Sequence, residues 1–293
     1  MLEQQLLNAL SLGSVYALFA LGFTLVFGVL RVISLAHGAI FMCGAYIALA
    51  LVEKFNMPLA FAMLGAMLGC GLIGVAMDVI VLRPLRARNA PHLAPMIATI
   101  GVAILLTSIV QGLAGAETSR FPFEVMPQQS LQIGPLRTNL LEVAIVVIAF
   151  AMMFGLLLLL RRTRFGQAIR AVAESPRTAA LLGIDVEQVF RRVSFLAAAF
   201  GGAAGVLIGL SFNAVSPFMG QPILPKGIAV IILGGMGDIR GAMIGGLLLG
   251  LIEVMSVAYL SSDLRDALAF GLLFLILLLR PTGLFGTAVG RRA

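Results

Sequence analysis

Charge and cysteine are what this chain has least of. Only 11% of its 293 residues are Asp, Glu, Lys or Arg, 60% are apolar, and the mean hydropathy is +1.08. That balance excludes an ordinary soluble domain. The two cysteines, Cys43 and Cys70, both lie inside apolar runs; they read as packing residues and offer no metal-ligand spacing. A Gly-x-x-x-x-Gly-Lys-Ser/Thr phosphate loop, a Gly-x-Ser-x-Gly elbow and a His-Glu-x-x-His helix are all missing. This chain is therefore not expected to bind ATP through a phosphate loop, no cofactor or metal is expected in it, and an intramembrane hydrolase is disfavoured. The net charge of +7 is spread over short loops without aromatic interleaving, so it reads as a membrane-topology signal and not as a nucleic-acid surface. A basic n-region is also lacking: Glu3 stands in its place and the apolar run continues to Leu30, unlike a cleavable signal.

What the chain does have is long apolar runs. Leu64 to Leu82 and Leu140 to Leu160 are long enough to cross a hydrocarbon core of ~30 Å. They do not alternate polar with apolar, so the spans are helices, not barrel strands. Nine apolar segments are expected, at about 6–30, 35–52, 58–82, 94–115, 140–160, 193–212, 223–235, 241–260 and 267–279. The fold class is thus all-α: a polytopic transmembrane bundle of eight or nine spans, one membrane domain over 1–293. The seventh segment is short. Pro217, Pro222 and Pro225 precede it and Gly234, Gly235 and Gly237 close it, which predicts a half-helix or re-entrant element covered by protein or a polar cavity. Phe27-Gly28 leading to His37-Gly38-Ala39 and Gly44-Ala45 resembles Leu233-Gly234-Gly235 leading to Gly241-Ala242 and Gly245-Gly246, suggesting a parallel internal repeat.

The stretch 161–192 carries seven arginines among three acids, between two apolar segments. Basic loops resist translocation, so this one is expected in the cytoplasm. Alternating outward from it puts Arg31, Arg83, Arg86, Arg88, Arg240, Arg280, Arg291 and Arg292 inside as well, fifteen of the twenty basic residues in all. The N-terminus is then periplasmic and the C-terminus cytoplasmic. The loop also carries folding signals. Phe165 to Ala173 reads as a short helix, Ser175-Pro176 as an N-cap followed by proline at the first helical position, and Gly183 as a left-handed C′ residue. Asp185 with Gln188 offers a further helix start. Such a compact basic elbow suits docking of a cytoplasmic partner; the plainer reading is a solvated loop that only sets topology.

The segments Asn8-Ala9-Leu10-Ser11-Leu12-Gly13-Ser14-Val15-Tyr16-Ala17-Leu18, Ala20-Leu21-Gly22-Phe23-Thr24-Leu25-Val26-Phe27-Gly28 and Ala36-His37-Gly38 resemble the opening of LivH-type permeases of branched-chain amino acid ABC importers. The resemblance continues in order through Arg170-Ala171-Val172-Ala173-Glu174-Ser175-Pro176, Leu182-Gly183-Ile184, Leu233-Gly234-Gly235-Met236-Gly237, Gly241-Ala242-Met243-Ile244-Gly245-Gly246 and the tail Arg280-Pro281-Thr282-Gly283-Leu284-Phe285-Gly286. It implies an inner-membrane translocation subunit paired with a LivM-type sister permease. Two cytoplasmic ATPases would drive it, and a periplasmic binding protein would deliver the substrate. It also implies that Arg170, Glu174, Ser175, Pro176, Arg177, Leu182, Gly183 and Ile184 form the ATPase-coupling surface. The family often has Asn-Phe before Ala-His-Gly and an acid after it; here Ser34-Leu35 precede and Ala39 follows. That departure leaves the substrate open among Leu, Ile and Val, urea, short amides and small organic acids.

Three residues stand out as substrate-pathway candidates. His37 either hydrogen-bonds local backbone where a helix restarts or handles a proton or substrate. Glu253 lies within the eighth segment, where an acid costs at least ~2.5 kcal/mol at the bilayer centre, so it should face the bundle or pore. Lys226 either snorkels to the outer interface or faces the outer mouth, where it would meet a carboxylate. Asp78 is expected to pair locally with Arg83 or to stand exposed at the interface. The clusters Gly65/Gly69, Gly201/Gly202/Gly205/Gly209 and Gly241/Gly245 should permit close helix contact. The competing class is an autonomous carrier or channel, in which His37, Lys226 and Glu253 would be the coupling groups.

Overall fold

The computed structural model describes residues 2–91, 93–122, 130–133, 136–261, 263, 265–280 and 283–285. Each of the nine expected apolar segments coincides with a helix. These are α1 (Leu2–Leu30), α2 (His37–Phe55), α3 (Leu59–Met77), α5 (Leu93–Ala114), α6 (Leu140–Arg162), α9 (Val186–Phe212), α10 (Gly220–Gly234), α11 (Ile239–Tyr259) and α12 (Arg265–Leu279). Three short helices complete the set: α4 (Arg83–Ala87), α7 (Arg164–Glu174) and α8 (Pro176–Leu181). Seven of the described helices are long and apolar enough to cross a membrane. The 15 residues of α10 reach only ~22 Å, short of a full crossing. Beyond the all-α expectation there is one small antiparallel hairpin, β1 (Ser130–Ile133) and β2 (Leu136–Asn139), with Ser130 opposite Asn139. Arg291 and Arg292, and Pro281, Thr282 and Gly286 of the tail motif, lie outside the described residues.

Helix α1 is the axis of the bundle: Ser14 to Val26 is buried without a break. A helix apolar all round has no face to give to water, and it is covered here by α9, α10 and α11. Its contact with α11 is backbone on backbone. A side chain at Gly13 would stand 2.9 Å from the Leu247 Cα, and Gly246 and Gly250 press on Ala17 and Gly13 in turn. Small residues four apart on both helices allow this approach, which in lipid takes the place of a hydrophobic driving force. The expected glycine clusters also face neighbours: Gly65 and Gly69 meet Leu51 and Ile47 of α2, while Gly201, Gly202 and Gly205 meet α2 and α3.

Two segments re-enter the bundle. After α1 the backbone turns at Arg31 (φ +54°) and runs back without helix to His37. The imidazole of His37 lies against Phe19, Gly22 and Phe23, so α2 starts roughly 10–15 Å inside the end of α1. From the other side, 213–219 leads down to α10, whose first residue Gly220 meets Gly38 backbone to backbone. Pro222 and Pro225 lie inside α10 and not ahead of it, a correction to the expected boundary. Pro222 falls in the first turn, where a missing N–H costs nothing. The two arms of the suggested repeat differ: a six-residue non-helical return joins α1 to α2, whereas a tight 235–238 turn joins α10 to α11.

Arg31, Arg161, Arg170 and Arg240 gather at one end, the elbow end. Arg31 Nη2 donates to the Ala173 carbonyl at 3.2 Å, and Arg161, Arg170 and Arg240 ring one hollow with Asp238. At the opposite, far end, Ser119 and Val215 form an isolated antiparallel bridge and Phe121 N–H donates to the Asn213 side chain at 3.0 Å.

Candidate functional site

The elbow is built from caps. Thr163 Oγ1 accepts from Gly166 N–H at 3.0 Å and starts α7, a cap the sequence reading overlooked. Ser175 Oγ accepts from Thr178 N–H at 3.3 Å with Pro176 at the first position, as expected. Gly183 stands at φ +81° after α8. Its N–H donates to the Ala180 carbonyl at 3.0 Å and Ile184 N–H donates to that of Ala179 at 3.1 Å, the paired bonds of a Schellman stop. Asp185 Oδ1 then accepts from Gln188 N–H at 2.9 Å and opens α9. Helix α7 buries Gly166, Ile169 and Val172 against α6 and α1, and Arg170 is tied to the Leu160 carbonyl. The free side of the elbow presents Glu174, Pro176, Arg177, Leu182 and Gly183, with Ser175 and Ile184 partly covered. At its tip Leu181 and Leu182 are 89% and 75% exposed. Leu181 was not singled out from sequence; two adjacent leucines in a charged loop were the available signal.

The elbow is tied to the bundle through Arg86. Asp78 is fully buried and pairs with Arg86 at 2.8 Å, not with Arg83, and it is not exposed. The reason is a π-helical turn over Asp78–Leu82, which widens the helix and brings the residue eight positions on beneath the carboxylate. Arg86 also reaches Glu187 at 3.1 Å and lies over the Phe190 ring at 4.6 Å, while Arg83 approaches Glu187 at 3.6 Å. The first turn of α9 is thereby clamped to the end of α3.

Of the three pathway candidates the structure brings two together. Lys226 Nζ lies 2.9 Å from Glu253 Oε1, and both are buried. Arg265 pairs with the same carboxylate oxygen, Asp266 reaches Lys226 at 3.2 Å, and Tyr16 Oη donates to Glu253 at 3.0 Å. Two cations and two anions from α10, α11 and α12 close on one another beside α1. Neither expected arrangement of Lys226, snorkelling to the interface or facing an open mouth, is the one found. Tyr16, Arg265 and Asp266 were missed as members because no local spacing connects them.

His37 is separate. Its ring is 4.8 Å from Phe19 and 5.4 Å from Phe23, and a side chain at Gly22 or Gly201 would meet the imidazole at 2.9 Å. The ring fills the space two glycines leave, and its Nε2 has no hydrogen-bond partner among the described residues. Cys43 and Cys70 are buried thiols, and no group of His, Cys, Asp and Glu among the described residues is arranged for a metal.

A multi-pass helical bundle with a capped basic elbow suits a transport subunit, and similarity to known proteins runs along nearly the whole chain. The family described as branched-chain amino acid transport system, permease component, matches residues 5–277. The chain is 34% identical to the high-affinity branched-chain amino acid transport system permease protein LivH of Salmonella typhimurium, covering 97% of this chain and 95% of that protein. It is 35% identical to BraD of Pseudomonas aeruginosa, a permease protein of the same description, over the same shares. A probable LivH permease protein of Methanocaldococcus jannaschii is 31% identical, over 92% of this chain and 84% of its own. The chain belongs to the family of branched-chain amino acid transport permeases: it is a membrane permease subunit and not an enzyme.

Proposed function

We propose that the chain is the translocation subunit of an ATP-driven importer that takes branched-chain amino acids from a periplasmic binding protein and releases them in the cytoplasm. Its partners in this reading are a LivM-type sister permease and two cytoplasmic ATPases, with the elbow end cytoplasmic and the N-terminus periplasmic. The substrate class follows the names of LivH and BraD, which cover nearly the whole chain at 34–35% identity. The observation that carries the coupling role is the pair Leu181 and Leu182, 89% and 75% exposed on a helix held rigid by caps at both ends. Exposed adjacent leucines outside the lipid belong to a surface that another protein covers. Arg170, Glu174, Ser175, Pro176, Arg177, Gly183 and Ile184 shape and flank that tip. A free-standing carrier needs titratable groups it can expose in turn; here Lys226 and Glu253 neutralise each other inside the bundle and His37 is caged by aromatic rings. The charge cluster fits a latch that holds the half-helix α10 against α11 and α12.

The test is the double substitution Leu181→Asp, Leu182→Asp in the assembled complex. Each leucine is worth about 1.5–3 kcal/mol when covered, so ATPase retention should fall about tenfold or more while membrane insertion is unchanged. Full retention of both ATPases, with normal binding-protein-stimulated ATP hydrolysis, would remove the elbow from the coupling role.

A further inference from the structure

One cavity has walls that lipid alone does not explain. It is an open hollow of about 330 Å³ between the start of α2 (Leu35, Gly38, Ala39), the far half of α5 and the segment that opens α10 (Pro217, Phe218, Gly220, Gln221, Leu224), with Ser108 and Gln221 exposed at its rim. Helix α5 is the most exposed of the long helices, with only Pro95 and Thr99 buried. Its outward residues Ile97, Ile100, Leu105, Ile109 and Leu113 suit hydrocarbon. It carries four polar side chains, and Thr99 is satisfied by Leu35 N–H at 3.1 Å and the Met96 carbonyl at 2.7 Å. The other three, Thr107, Ser108 and Gln111, all face this cavity, and Gln221 faces it from across the gap. Among the described residues none of these four side chains has a hydrogen-bond partner.

Their depth matters. Thr107 and Ser108 lie about 21 Å along α5 from the elbow end, inside the span by helix rise. Polar side chains facing hydrocarbon there are costly, and unpaired ones at membrane depth mark a water-filled or solute-filled path. At the floor, Gly38 and Gly220 touch: a side chain on Gly38 would stand 2.8 Å from the Gly220 carbonyl. The two re-entrant segments therefore close the cavity from the elbow side.

We propose that this cavity is the station through which the carried solute passes. The hydroxyls of Thr107 and Ser108 and the amides of Gln111 and Gln221 meet the ammonium and carboxylate of an amino-acid zwitterion. Leu35, Ile104, Phe218 and Leu224 cover its aliphatic side chain. Hydroxyls and amides both donate and accept, so each end of a zwitterion finds partners without a fixed charge that would slow release. The volume falls within the ~300–1,000 Å³ of small-ligand sites. The assignment rests on the transport reading above, and it moves the path from Lys226 and Glu253 to the α2–α5–α10 face.

The experiment places single cysteines at Ser108 and, as a control, at Val147, which is 60% exposed among the apolar residues of α6 and away from the cavity. Both variants are reconstituted with sister permease, ATPases and binding protein, and the native chain, whose two cysteines are buried, sets the background. A charged, membrane-impermeant thiol reagent should modify Ser108→Cys and not Val147→Cys, and modification should lower leucine import by about tenfold. An unreactive Ser108→Cys, or a modified one that imports normally, overturns the proposal. Failure of the transport reading looks different: the unmodified native complex would hydrolyse ATP under stimulation and import no branched-chain amino acid. Reactivity at Ser108 would then still support a polar path through the cavity, and its absence would still overturn it.

Discussion

At the scale of single residues, the chemistry of this permease is a matter of keeping charge balanced in an apolar setting. Lys226, Arg265, Glu253 and Asp266 sum to zero, and Glu253 Oε1 collects Lys226, Arg265 and Tyr16 while its Oε2 has no partner among the described residues. Breaking such a set on one side is worse than removing a matched pair, because the survivor stays buried and uncompensated. Glu253→Leu should therefore destabilise the protein by about 3–5 kcal/mol, and Glu253→Gln by less because it keeps an acceptor for Tyr16. Adding Lys226→Met to Glu253→Leu should recover most of the loss, leaving Arg265 and Asp266 as a balanced pair. Thermal unfolding in detergent reads all three variants. An unshifted midpoint for Glu253→Leu would mean that the latch contributes nothing, and lost import in a well-folded double variant would return the cluster to the pathway.

At the scale of elements, the elbow owes its shape to residues that stop and start helices. Proline cannot adopt the positive φ of Gly183, and it lacks the N–H that Gly183 donates to the Ala180 carbonyl. Gly183→Pro should therefore unwind the end of α8 and displace Leu181 and Leu182 without touching the spans. We expect normal insertion, co-purified ATPase reduced about tenfold and stimulated hydrolysis lost. Co-purification and stimulation at native levels would make this stop dispensable. Apart from the Thr163 cap, these signals were legible in the sequence because each depends on residues three to five apart. The pairing of Lys226 with Glu253, 27 positions on, and of Tyr16 with Glu253, 237 away, was not, because it depends on how α1, α10, α11 and α12 are set side by side. Asp78 was misassigned for a local reason: the π-turn adds a residue that regular helical spacing does not include.

At the scale of the whole molecule, the nine apolar segments were legible because a span must stay apolar for its full length, and length sets the 15 residues of α10 apart from the 27 of α9 and the 21 of α11. The way the chain folds back into itself was less so: nothing in the spacing of Arg31 to His37 fixes how far α2 begins inside the bundle. The same is true of the far-end hairpin, whose two strands are four residues each. Orientation is the property that joins these parts into a transporter. Arg31, Arg86, Arg161, Arg170 and Arg240 gather at the elbow end, while the bridge between Ser119 and Val215 marks the other. Basic residues are held on the cytoplasmic side during insertion, so an elbow facing outward would require most of them to be translocated. Thr118 and Thr178 are both exposed, one at each end, and are suitable cysteine sites; Gln128, in the same loop as Thr118, lies outside the described residues. An impermeant reagent added to intact spheroplasts should label Thr118→Cys and leave Thr178→Cys unlabelled until the membrane is opened. Labelling of Thr178→Cys in intact cells would invert the molecule, placing the leucine tip beyond the reach of any cytoplasmic ATPase and removing the basis for a coupling role.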